Sequence, residues 1–191
     1  RCYSLRTAID DGGASREGGR CGIVPGGGVS LTTRSIGLIL QPEHRAVALS
    51  KRIGDAINGR FHTVIRGSKQ GVATPKTDRF IELEIPTAYH HNLTRYVRVV
   101  GAVAVAEPAG GLHARLDLLR RQLTDPVTAS TAALRLEAIG KDAVAMLKEG
   151  LKSNDAEVRF AAAEALAYLG ESVAAEHLAD AAANLRSARP A

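Results

Sequence analysis

The sequence predicts an α+β fold: a small β-α-β-β-α-β domain over residues 35–107, then an α-helical repeat segment over 112–185. A glycine-rich, irregular lead-in with short strands occupies 1–34. Three observations carry this. The run FIELEI at 80–85 alternates apolar and acidic residues, the mark of a half-buried strand. From His44 onward, apolar residues recur at steps of three and four, which is one stripe of a helix. From Leu112 onward, Ala and Leu dominate and the pattern repeats every 30 residues.

The lead-in carries Gly pairs at 12–13 and 18–19 and the triplet Gly26-Gly27-Gly28. Cys21–Val24 and Val29–Leu31 read as short extended pieces. The triplet lacks the Lys-Ser/Thr and the following helix of a phosphate loop, so it reads as a turn or linker. Ile36–Leu40 is the first strand of the domain. Pro42 then marks a helix start, because its fixed φ suits the first turn and its missing N–H is not needed there. Ala46, Leu49, Ile53, Ala56, Ile57 and Phe61 form the helix's apolar stripe, and Gly59 weakens its last turn. Arg52, Asp55, Asn58 and Arg60 are its polar positions and are the candidates for a subunit interface.

A strand at 62–66 leads into a polar excursion, GSKQGVATPKTD, before the strand at 80–85. Pro86 breaks that strand, and Thr87 is placed to cap a second helix whose stripe is Leu93, Tyr96, Val97 and Val100. Residues 102–106 read as a last extended piece. Two helices on one side of a small sheet would bury both stripes.

Residues 107–111 form a Pro/Gly linker. In the repeat segment, Asp125 corresponds to Asp155, Ala132-Ala133 to Ala162-Ala163, Leu136 to Leu166 and Ile139-Gly140 to Leu169-Gly170. Each unit reads as a short helix, an Asp-containing turn, a longer Ala-rich helix and a closing glycine. So few repeats do not close a core alone, so they are expected to pack on the preceding domain or to continue.

The chain has 191 residues, 45% hydrophobic and 24% charged, which is ordinary for a globular protein. It opens on Arg1, not Met, and reads as a piece of a longer protein. Net charge is +5, with 15 basic and 9 acidic residues up to Gly110 and 10 basic and 11 acidic beyond. The basic half admits an anion- or nucleic-acid-binding reading. RNA modules stack bases on strand aromatics, and here Phe80 is the main one, so nucleic acid is not expected as a partner. Cys2 and Cys21 permit one disulfide or two free thiols. His90 and His91, adjacent on a helix, point about 100° apart and do not share a site. No HExxH, GxSxG or Cys/His cluster occurs, so no catalytic, cofactor-binding or metal-binding residue is assigned and no enzyme is expected. No apolar run approaches the roughly 18 residues of a membrane span.

The stretch VPGGGVSLTTRSIGLILQPEHRAVALSKRIGDAINGRFH, with Arg52–Phe61 as its helix motif, resembles the bacterial flagellar P-ring protein family. FIELEIPTAYHHNLTRYVRVVGAVAVAE resembles that family's following unit, so the likeness spans about residues 22–107. Residues 112–185 resemble HEAT-type repeats, with LKSNDAEVRFAAAEALAYLG matching a single repeat. The P-ring resemblance implies a non-enzymatic, periplasmic ring subunit with itself and flagellar rod components as partners. The repeats imply a protein partner, and a HEAT-repeat interaction scaffold is the alternative reading. The repeat segment and the cysteine pair depart from the P-ring pattern.

Overall fold

A computed structural model describes residues 35–65, 67–106 and 111–187. The lead-in, with its cysteines and glycine triplet, and most of the 107–111 linker lie outside these residues. From Ser35 onward the chain forms one compact unit. It is α+β: a small antiparallel sheet region is followed by stacked helices.

Strands β1 (Ile36–Ile39), β4 (Ala73–Pro75) and β5 (Phe80–Leu83) form an antiparallel sheet in the order β1-β5-β4. Ile36 sits opposite Leu83, and so does Ala73 from the other side. Ile81 and Leu83 therefore face the core, while Phe80 and Glu82 face outward. Strands β2 (His62–Ile65) and β3 (Ser68–Gly71) make a separate hairpin, whose tight turn contains Gly67 at φ +80°.

Helix α1 runs from Val47 to Arg60, behind a 3-10 turn at Pro42–His44. Pro42 thus starts a single turn, and Ala46, fully extended at φ −159°, separates it from the helix. The buried face is Ser50, Gly54 and Ile57 with Phe61 beyond, so the expected stripe is rotated. Ala46 is exposed, and Leu49, Ile53 and Ala56 are half-buried. The rotation follows from packing on β4: Ser50 donates its hydroxyl to the Thr77 carbonyl at 2.9 Å, and Pro75 lies against Gly54.

Two further expectations are corrected. The polar excursion supplies β3 and β4, because Val72 and Ala73 within it are buried and tie the segment to the core. Residues 103–106 form no strand. Helix α2 (Leu93–Ala102) instead takes in Ala102, its buried face extending to Val99 and Val100, and 103–106 follow it as bends. The β-α-β-β-α-β order accordingly lacks its last strand among the described residues. Thr87 begins only a 3-10 turn, Thr87–Tyr89; the cap of α2 is Asn92, whose side chain accepts from Arg95 N–H at 3.1 Å. His90 and His91 lie in the turn before the helix.

The repeat segment holds α3 (Gly111–Leu123), α4 (Pro126–Ile139), α5 (Val144–Gly150), α6 (Ala156–Tyr168) and α7 (Ala174–Ser187). Asp125 caps α4 by accepting from Val127 N–H at 3.0 Å, and Asp155 caps α6 by accepting from Glu157 N–H at 2.9 Å. Gly140 and Gly170 end these helices at φ +94° and +81°, where a side chain would be strained. The 30-residue period is thus a period of caps as well as of core residues. Leu119, Leu136, Leu147 and Leu166 stack with the alanines of α4 and α6 into one core. The alanines let those helices approach closely.

Candidate interaction site

The apolar stripe read for α2 does not match its buried face. Leu93 and Val97 are 45% and 52% exposed, while Arg95 is buried beside Tyr96, Val99 and Val100. Arg95 is inside because a partner waits there. Glu137, on α4, is fully buried. Its Oε2 accepts from Arg95 Nε at 3.0 Å and from Nη2 at 2.5 Å, and its Oε1 accepts from the Tyr89 hydroxyl at 2.6 Å. Arg95 Nη1 reaches Glu164 on α6 at 2.5 Å. One guanidinium from the α/β part therefore holds two successive repeats.

Aromatic rings surround this node. Phe61, Tyr89 and Tyr96 meet with centroids 5.4–5.8 Å apart, and Tyr89 stacks on Tyr168 of α6 at 4.8 Å. Arg95 lies over the Tyr168 ring at 4.6 Å, and the Tyr96 hydroxyl donates to the Glu84 carbonyl at 2.9 Å. Leu134 and Ala138 of α4 join the sheet's own core. The repeats thus pack on the preceding α/β part.

Electrostatics follow from burial. Desolvation raises the Glu137 carboxyl above its usual range, against the opposing hydrogen bonds from Arg95 and Tyr89. Burial pulls the Arg95 guanidinium down, but Glu137 and Glu164 outweigh it and the net shift is upward. Burial, aided by Glu137, raises the Tyr89 phenol; burial, aided by Glu84, pushes Tyr96 up to about 12. The node is a charged pair held dry, with its remaining acceptor site filled by a phenol.

The four sequence-read candidates divide. Arg60 Nε donates to the Glu137 carbonyl at 2.8 Å, and its guanidinium lies over the Phe61 ring at 4.6 Å. Asn58 donates to the Ala73 carbonyl at 2.8 Å and accepts from Ala73 N–H at 2.7 Å. Both are engaged within the chain. Arg52 and Asp55 are exposed on α1.

Glu137, Arg95, Tyr89 and Tyr168 were not among the sequence candidates. One signal was present: Glu137 interrupts an apolar run in α4, and the next repeat has Ala167 at that position. Its partner lies 42 residues away, beyond any local pattern.

Elsewhere on the repeats, Val127 at the start of α4 is 89% exposed and Phe160 on α6 is 42% exposed. Phe160 corresponds to Ser130, one turn after Val127, so these positions continue the helix faces that hold Leu134 and Glu164. A cleft of about 210 Å³ opens where Arg60 and Ala138 meet Leu112 and Asp142. Among the described residues, no group of three or more His, Cys, Asp or Glu side chains converges to hold a metal ion. No helix is long and apolar enough to cross a membrane.

No curated protein and no solved structure matches this chain. The P-ring resemblance of residues 22–107 gains no support from these comparisons. A family model for HEAT repeats matches residues 113–189. The helical part of this chain is therefore similar to HEAT repeats.

Proposed function

We propose that the protein is a non-enzymatic interaction scaffold whose HEAT repeats hold a protein partner. The observation that carries this reading is the HEAT-repeat match over residues 113–189. Such repeats stack quasi-independent helix pairs into extended binding faces. Here the α4/α6 face is divided. The half that includes Leu134, Glu137 and Glu164 is taken by the chain's own α/β part, and the half with Val127 and Phe160 is open to solvent. The partner is placed on that open half.

A photo-crosslinking amino acid at Val127 or Phe160, with one at exposed Glu176 on α7 as control, tests this in the native host. Adducts to a defined protein at the first two positions, and not at the third, are expected. Adduct-free chains at both positions would overturn the placement.

A second reading rests on the residues that resemble the P-ring family. In it the protein is a periplasmic ring subunit that meets other copies and flagellar rod components. Light scattering and electron microscopy of the full chain test it: closed rings of uniform diameter support it, and small species at every concentration refute it.

A further inference from the structure

The two edges of the three-stranded sheet are treated differently. On β4, the groups of Ala73 point away from β5, and Asn58 takes both its N–H and its C=O. The next outward N–H would belong to Pro75, which has none. The β4 edge is closed to any further strand.

The β1 edge is the opposite case. Leu40 N–H bonds to the Arg79 carbonyl at 2.8 Å. By alternation, Ile36 and Leu38 also direct their backbone groups to β5. Gly37 and Ile39 therefore direct theirs outward, and among the described residues no strand pairs on that side. The strand Ile36-Gly37-Leu38-Ile39 carries no charge, no proline and no bulge, the usual protections of an edge. Its outward face is apolar. Ile39 is 71% exposed, and the Phe80 ring lies over Gly37 so closely that a Cβ there would sit 2.4 Å from the ring.

We infer that β1 is a self-pairing edge, and that its occupant is β1 of a second copy of this chain, antiparallel about a two-fold axis at Leu38. The register is dictated by the two faces. A two-fold axis perpendicular to the sheet puts both inner faces on one side, so only residues of like facing sit opposite. With Leu38 opposite its own copy, Gly37 faces Ile39 and Ile39 faces Gly37. Those are the residues whose backbone groups point outward, so four N–H···O bonds form. Each Ile39 side chain then lies against the edge of the Phe80 ring that covers Gly37 in the other copy. With no charge on the strand, self-pairing meets no like-charge repulsion.

The contact is isologous and closes at two. A head-to-tail series through the sheet would need β1 of one copy on β4 of the next, and Asn58 and Pro75 forbid it. Four residues a side fall well short of the roughly 1,000 Å² of a persistent interface, so the dimer is weak and transient.

Sedimentation of the full chain from about 10 µM to about 1 mM reads the association. A monomer–dimer equilibrium is expected, and Ile39→Lys is expected to weaken it at least tenfold while leaving the circular dichroism unchanged. The register is read separately. In a Cys2→Ser, Cys21→Ser background, Leu38→Cys should form a disulfide-linked dimer on mild oxidation, because an opposed non-hydrogen-bonded pair places Cα atoms about 4.5 Å apart. Asp55→Cys should not. A chain that stays monomeric throughout the range overturns the proposal, as does a dimer that Ile39→Lys leaves intact. A dimer weakened by Ile39→Lys but not linked through Leu38→Cys overturns the register.

Discussion

Arg95 and Glu137 show what a buried ion pair is worth at the level of one side chain. Desolvating both charges offsets much of their attraction, so the pair adds little compared with a well-packed apolar one. Removing one member is a different matter, because the other stays buried and unmatched. Arg95→Ala is expected to lower stability by about 3–5 kcal/mol in urea unfolding. Arg95→Met combined with Glu137→Leu should recover most of that loss; a cost below about 1 kcal/mol for Arg95→Ala would show that the pair is dispensable. The tyrosines set the alkaline limit. Burial raises Tyr96 from 10.0 to about 12, so folding favours the phenol. This contribution is complete below pH 10, is lost as pH rises from 10 to 12, and amounts to about 3 kcal/mol. The urea midpoint should fall across that window, and Tyr96→Phe should flatten the fall. These residues were the least legible in the sequence. A charged residue at 95 reads as a solvent position until Glu137 is known to lie opposite.

Elements with local causes were readable. The aspartates and glycines that bound α4 and α6 act on their own turns, so a 30-residue comparison finds them without tertiary knowledge. Asp125→Ala and Asp155→Ala should each cost about 1 kcal/mol, because the first strands the Val127 N–H and the second those of Glu157 and Val158 at a helix start. Equal thermal shifts from the two would support equivalent caps; a negligible effect from either would deny it a capping role. Strands β3 and β4 escaped notice for the opposite reason. Most of their residues are polar or small; β3 is held by pairing with β2, and β4 by Asn58, 15 positions earlier, gripping Ala73. The rotation of α1 has the same origin, since Ser50 and Gly54 turn inward to meet β4 and the residues after it.

At the scale of the molecule, the need for the repeats to find a covering surface was legible, but the surface itself was not. Leu134, Ala138 and Tyr168 bury against the sheet side, so the α/β part and the first repeats share one core. Hydrogen exchange should therefore show α2 and α4 opening together, with one free energy. Exchange of α2 at denaturant concentrations where α4 stays protected would separate them. The seam has one more consequence, an optical one. The chain has no Trp, and three of its four tyrosines, Tyr89, Tyr96 and Tyr168, lie at that seam in fixed ring contacts. Its near-ultraviolet signal is thus gathered largely at one place, and unlabelled protein carries its own gauge of whether sheet and repeats are joined.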